Sequence, residues 1–231
     1  EIISMPPRQG AFAELLKIPE TNILPVPDGI DPAHAALTEP IATALHAVTV
    51  AERALWRPLG ETSTLVIGGG AVGLSAALVL ASRGARNITV ADTNPGRRET
   101  VAAAGDFHVI DPTQSNDIEE NSFGLVVDAV GGGVTRVVAS RAVMPGGVIA
   151  HIGLMDGNEG IDIRKLTLQE VTFIGTYTYT MVDFRATITA IAEGVLGDLQ
   201  WIERRSLGDG VEAFDDLEHG RSAASKVMLL P

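Results

Sequence analysis

The chain has 231 residues, with 17 Lys and Arg against 29 Asp and Glu and a formal net charge of −12. That balance disfavours a nucleic-acid groove or an anionic membrane surface, so neither is expected as a partner. With no Cys, no apolar run near the ~18 residues of a membrane span and no leader-like start, disulfides and cysteine zinc sites are excluded within these residues, and a soluble cytoplasmic protein is the expectation.

Residues 1–30 are punctuated by Pro6, Pro7, Pro19, Pro25 and Pro27 around short runs such as Ala11 to Ile18, and are expected to form irregular β-structure with turns. Asp31-Pro32-Ala33 has the pattern of a helix start, with Asp as the cap and Pro in the first helical position. A second helix is expected from about Ile41 to Leu55. From Thr64 onward, short apolar runs alternate with helical patterns. Strands are expected at 64–67, 87–91, 107–110, 125–128, 147–151 and 171–175, and helices at 71–83, 97–104, 133–143 and 182–193. Runs that are apolar on both sides suit a parallel sheet covered on both faces. The expected fold class is α/β, a doubly wound sheet of six parallel strands spanning roughly 60–195. Beyond it, 201–205 reads as a strand, 210–219 as a helix and 226–230 as a final strand. The two ends either pack on the sheet together or belong to a second domain.

The most informative stretch is 64–92. The apolar run Thr64 to Ile67 breaks into Gly68-Gly69-Gly70-Ala71-Val72-Gly73, a small-residue helix pattern follows, and the next apolar run ends in Asp92, nineteen residues after Gly73. Strand, glycine turn, helix, strand and acid come in the order that a dinucleotide-binding βαβ unit requires. Gly68 is expected to allow the tight turn, Gly70 to let a pyrophosphate approach the backbone, and Gly73 to let helix and strand pack closely. The N–H groups and positive dipole end of the helix that opens at Ala71 and Val72 would face the phosphates. Asp92 is expected to accept hydrogen bonds from ribose hydroxyls and to favour NAD over NADP, since a carboxylate repels a 2′-phosphate. Arg97 and Arg98, at the start of the next helix, are placed to reach a 2′-phosphate or cover an adenine, or are ordinary surface arginines. Ligands of such sheets lie beyond the carboxyl ends of the strands, where Val130-Gly131 and Ile152-Gly153-Leu154 should offer backbone groups to the ribose and nicotinamide.

Outside that unit, Glu39 stands between the apolar stretches Ala35 to Leu37 and Ile41 to Ala42. A carboxylate buried there would need an arginine or a metal. Thr43 follows one helical turn later and can share its face, and His46 comes next, read as a structural histidine. His34, His108, His151 and His219 are scattered with no metal-ligand spacing, and neither a G-x-S-x-G elbow nor a P-loop occurs.

Gly10 to Glu14, Leu24 to Gly29, Ala36 to Pro40 with Ala44 to Val48, Val66 to Gly73, Met144 to Gly147, Ile152-Gly153, Gly175 to Thr180 with Asp183-Phe184, and the tail from Ala213 to Val227 resemble, in order and spacing, the medium-chain dehydrogenase/reductases. The resemblance is to zinc-dependent alcohol and polyol dehydrogenases of the sorbitol dehydrogenase type. It implies pieces of a GroES-like catalytic domain at 1–40 and 196–231, a connecting helix at 41–60 and an NAD-binding Rossmann domain at 61–195. It implies that Glu39 is a zinc ligand, directly or through water, that Thr43 lies against the nicotinamide, and that Lys226 contacts a cofactor phosphate. The family's catalytic Cys and His-Glu pair have no counterpart here, so the chain is expected to be a piece of a longer protein. The implied activity of the intact protein is NAD-dependent oxidation of a secondary alcohol, a polyol or sugar derivative, with zinc as cofactor. The implied assembly is a homodimer or homotetramer formed through the sheet edge near 171–180, with Tyr177 and Tyr179. Two alternatives are a nucleotide-binding module without catalysis and a zinc-independent reductase of the same superfamily.

Overall fold

The computed structural model describes residues 3–114 and 117–231; Glu1 and Ile2 of the expected irregular β-segment lie outside the described residues. From Ile3 to Ile30 the chain runs through turns and bends with one 3₁₀ turn at Glu20–Asn22, and no strand forms among the described residues. The expected turns are there and the expected β-structure is not. A strand persists only against a partner edge, and proline supplies no ladder N–H. Phe12, Leu15 and Leu16 of this segment are exposed.

Helix α1 (Pro32–Ala35) starts as expected, with the Asp31 carboxylate accepting from the N–H of Ala33 at 2.9 Å. Helix α2 (Thr38–Glu52) begins earlier than Ile41, because Pro40 falls in its first turn, where no N–H is needed. There follow β1 (Ser63–Ile67), α3 (Ala71–Ser82), β2 (Asn87–Ala91), α4 (Pro95–Ala104), β3 (His108–Ile110), β4 (Phe123–Asp128), α5 (Gly133–Ala142), β5 (Val143–His151), α6 (Ile163–Leu168), β6 (Thr172–Gly175), α7 (Met181–Ala192), β7 (Ile202–Ser206), α8 (Gly210–Glu218) and β8 (Lys226–Leu230).

The first six strands form one parallel sheet in the order β3-β2-β1-β4-β5-β6. Its two faces sort the apolar residues by parity. Val66, Val90, Leu125, Val127, Val148 and Ala150 pack with α2 and α3 on one face. Leu65, Ile67, Val126 and Ile149 pack with α5 and α6 on the other. The expected doubly wound sheet is therefore present, and its order reverses between neighbours β1 and β4, so the crevice opens at their carboxyl ends.

Two differences from expectation have local causes. Helix α6 is only six residues long, too short to show a period, and is held by its Asp162 cap, which accepts from the N–H of Lys165 at 2.8 Å. Strand β5 starts at Val143 and not at Gly147, because a register shift opposite Phe123 and Leu125 and a left-handed Gly146 (φ +71°) carry the ladder through Met144-Pro145-Gly146. Strands β7 and β8 pair in parallel as a separate two-stranded sheet. Arg205 braces that sheet, donating to Glu203 and to Asp216 of α8 at 2.7 Å each.

Candidate functional site

The glycine turn between β1 and α3 occupies the switch point. Gly68 adopts φ +96°, and a Cβ there would stand 2.6 Å from the Val130 side chain, which reaches across from the end of β4. At Gly73 a Cβ would stand 1.7 Å from the carbonyl oxygen of Gly68, so the helix approaches the turn more closely than any side chain permits. A Cβ on Gly70 meets nothing within 4 Å, which leaves that face of the turn open. Gly70 caps α3 without a side-chain acceptor, and the N–H groups of Ala71, Val72 and Gly73 make no hydrogen bond among the described residues. Unsatisfied first-turn donors beside an open surface form an anion-binding feature.

Asp92 is only 6% exposed at the end of β2. Its Oδ2 accepts from the N–H of Gly69 at 2.7 Å and its Oδ1 from the N–H of Asn94 at 2.7 Å. The carboxylate thus first fixes the glycine turn, and each oxygen keeps a lone pair for a further donor. Arg97 lies 3.5 Å from Asp92 Oδ2 through Nη1, and its buried Nε has no partner among the described residues. Arg98 is turned to other work: it donates to the carbonyls of Asp92 and Thr93 at 2.9 Å and pairs with Asp111 at 3.2 Å.

The opposite wall is built by a residue that the sequence reading missed. Asp128, fully buried at the end of β4, accepts from the N–H groups of Val130 at 3.1 Å and Gly131 at 2.9 Å and from the Thr135 hydroxyl at 3.0 Å. Its carbonyl accepts from the N–H groups of Ile152 and Gly153. His151, its register partner on β5, places Nε2 3.6 Å away. These bonds bring Val130, Ile152 and Gly153 together, with Leu154 exposed at the rim. The signal was available: as with Asp92, an acid stands at the end of a strand, and here a glycine run, Gly131-Gly132-Gly133, follows.

Lys226 is half-buried at the start of β8 and makes no ion pair among the described residues. Its neighbour Ser225 donates to the carbonyl of Gly69 at 2.8 Å, which pins the tail to the glycine turn. Lys226, Ala71, Phe12 and Phe214 line a cavity of about 280 Å³ beside the start of α3.

Glu39 corrects an expectation. It is exposed, not buried, and no hydrogen bond or ion pair of its carboxylate occurs among the described residues. Because α2 starts at Thr38, Glu39 points outward while Thr38, Pro40 and Ile41 pack inward. Thr43 shares its face as expected, its hydroxyl donating to the Glu39 carbonyl at 3.3 Å. Burial, aided by the charge of Glu39, pushes the Tyr179 phenol above its ordinary value. His46 is structural, its Nδ1 lying 3.0 Å from the Asp183 carboxylate. Asp183 also accepts from the N–H and hydroxyl of Thr180, closing the capping box of α7. Burial pushes the Asp183 carboxyl up, but the bonds from Thr180 and His46 outweigh it and hold it below its ordinary value.

Among the described residues no group of three His, Cys, Asp or Glu side chains could hold a metal. Glu39 alone does not make a zinc site, whereas the open glycine cradle and the free N–H groups of α3 fit a dinucleotide phosphate. No helix among the described residues is long and apolar enough to cross a membrane.

Comparison with known proteins agrees with this geometry. A family described as zinc-binding dehydrogenase matches residues 71–193. The chain is 34% identical over 217 residues to the L-galactonate-5-dehydrogenase of Escherichia coli, covering 90% of this chain and 62% of that protein. It is 30% identical over 224 residues to the L-threonine 3-dehydrogenase of Rhizobium johnstonii, covering 93% and 63%. Among solved structures, an alcohol dehydrogenase from a Thermus species superposes with a TM-score of 0.85 at 25% identity, covering 97% of this chain and 66% of that one. The chain thus spans 62–63% of the length of these two curated relatives. The family match takes in more than half of its residues, including α3, Asp92, Asp128 and the β4–β5 loops, and the chain belongs to the zinc-binding dehydrogenase family.

Proposed function

We propose that this chain supplies the dinucleotide-binding half of an oxidoreductase that passes a hydride between a secondary alcohol and NAD. The observation that carries the reading is the open face at Gly70 beside three unpartnered N–H groups of α3, at the point where the strand order reverses. The N–H groups of Ala71, Val72 and Gly73 would bind the pyrophosphate, and Lys226 would add its charge. The remaining lone pairs of Asp92 would accept from the ribose, which favours NAD, and Arg97 would cover the adenosine end. Val130, Ile152, Gly153 and Leu154 would flank the nicotinamide from one side, with Thr43 on the other. When bound, NAD supplies the hydride acceptor, and the chain's own residues hold and orient it.

Zinc belongs to this reading only at the level of the whole protein. Glu39 would be one ligand, and the described residues provide no others, so no step is derived through the metal. The whole protein's substrate is placed in the class of secondary alcohols of polyol or sugar type. The named relatives differ in the substrates of their names, L-galactonate and L-threonine, so the family narrows the reaction more than the substrate. The segments at 1–40 and 196–231 are assigned to a catalytic domain, 41–60 to a connecting helix and 61–195 to the nucleotide domain. A homodimer or homotetramer is assigned to the outer edge of β6, which among the described residues pairs only with β5 and exposes Phe173 beside an exposed Tyr177.

The test measures NADH binding and alcohol turnover by this 231-residue chain separately. Saturable NADH binding supports the reading, and its absence refutes it. Binding without turnover supports the module form of the reading, which the lack of a three-ligand metal group among the described residues favours. In the whole protein, turnover that survives complete chelation would remove zinc from the reading.

A further inference from the structure

Arg136, on the first turns of α5, is 5% exposed and makes no contact with the glycine turn, yet it gathers the opposite rim of the groove. Its Nε donates to the carbonyl of Glu159 at 2.6 Å and its Nη1 to that of Gly131 at 2.8 Å. Its Nη2 donates to the carbonyls of Asp156 at 3.2 Å and Gly157 at 3.1 Å, and to Asp156 Oδ1 at 3.2 Å. The same Oδ1 accepts from the N–H of Gly133 at 2.9 Å. One buried guanidinium thus joins the loop after β4 to the loop after β5. Apart from it and the Gly133 to Asp156 bond, the junction has two longer main-chain bonds, Met155 to Val130 at 3.2 Å and Asp156 to Gly131 at 3.3 Å.

The junction is also where two backbones meet without side chains: a Cβ on Gly131 would stand 2.0 Å from the carbonyl oxygen of Gly153. Contact at that range leaves the position of Gly153 and Leu154 dependent on how firmly residues 156–159 are held. We propose that Arg136 is a positioning residue that fixes the Gly153 to Glu159 segment so that the rim is already shaped for the nicotinamide half of the cofactor. A loop ordered before binding spares the ligand the cost of ordering it. The inference rests on the reading of the groove as a dinucleotide site.

The test compares the parent chain with Arg136→Lys, which keeps the charge but loses the planar fork. NADH and ADP are titrated into each, and amide exchange is followed across 154–160. Arg136→Lys is expected to weaken NADH about tenfold and leave ADP, which lacks the nicotinamide half, within about twofold. Exchange in 154–160 is expected to accelerate by about tenfold or more. Equal loss of both ligands indicates a general structural role and overturns the proposal, as does unchanged exchange or unchanged NADH affinity. Should Arg136→Lys not fold, Asp156→Ala decides by the same ratios, since Asp156 is 55% exposed and lies outside α5. A parent chain that binds neither NADH nor ADP refutes the groove reading itself, a result distinct from normal parent binding with an unaffected variant.

Discussion

Gly70→Ala and Gly73→Ala separate space kept for a ligand from space kept for folding. At Gly70 the backbone φ is −69°, a Cβ meets nothing within 4 Å, and the residue caps α3. Alanine is a poorer cap than glycine by about 0.5–1 kcal/mol, and its lower unfolded-state entropy returns about 0.4–1 kcal/mol. The net change in stability is therefore within about 0.5 kcal/mol. At Gly73 the added methyl meets Gly68 oxygen at 1.7 Å and Gly68 carbon at 2.8 Å, backbone atoms that cannot swing aside as a side chain would. Overpacking of this kind costs about 1–3 kcal/mol, and the upper end applies here. Stability is read by urea unfolding followed through the buried Trp201, and affinity by titration with NADH. Gly70→Ala should fold like the parent and bind NADH at least about tenfold more weakly, a difference of about 1.4 kcal/mol. A Gly70→Ala chain that binds NADH like the parent refutes the placement of the pyrophosphate. One that loses as much stability as Gly73→Ala refutes the claim that the cradle is open.

Asp128→Ala strands the N–H groups of Val130 and Gly131 and should cost about 3–5 kcal/mol, whereas Asp128→Asn keeps one acceptor oxygen and should cost about 1–2 kcal/mol by urea unfolding; equal costs would show that charge, not the acceptor, matters. Asp183 and Glu203 titrate below their ordinary values of 3.8 and 4.5, the first because the bonds from Thr180 and His46 outweigh burial, the second through Arg205 and Ser222. The unfolded chain therefore takes up protons first, so stability is full above those ordinary values and is lost as pH falls through the lowered ones. Urea midpoints at about pH 6 and about pH 3 should differ, and Asp183→Asn should reduce the difference; identical midpoints would contradict the assignment. Glu39→Gln should leave stability within about 0.5 kcal/mol, since the carboxylate is exposed. Equilibrium dialysis should find no stoichiometric zinc on this chain, and tight zinc binding would contradict the lack of a metal-ligand group among the described residues.

The sheet was legible because its signals are local. Strand runs, the glycine turn and the acid at Asp92 all lie within one βαβ unit, and each alternates with the period its element requires. Glu39 shows where local reading fails. Its neighbours in sequence are apolar, but on a helix adjacent residues point about 100° apart, so Thr38, Pro40 and Ile41 say nothing about the environment of Glu39. Arg136 was invisible for a different reason: apart from Gly131, its partners lie 20 to 23 residues away in a loop with no period. The open face of Gly70 was legible as a motif, while the tether from Ser225 to Gly69 spans 156 positions and leaves no trace in either segment alone.

Asp92 and Asp128 do the same job on opposite sides of the switch point. Each stands at the end of a strand, each is buried, and each spends its carboxylate on backbone N–H groups of neighbouring turns, Asp92 on Gly69 and Asn94, Asp128 on Val130 and Gly131. Buried carboxylates are costly without compensating partners; beyond these N–H groups, Asp92 has Arg97 at 3.5 Å and Asp128 the Thr135 hydroxyl at 3.0 Å. The groove is therefore stiffened by negative charge, in a chain that is already at −12. A phosphate-bearing ligand cannot be drawn in by that overall field. On the proposed reading it is received locally, by the first-turn N–H groups of α3 and by Lys226, which makes no ion pair among the described residues. Lys226 is held beside α3 because Ser225 is bonded to the turn, so on the proposed reading the tail of the chain contributes to the nucleotide site.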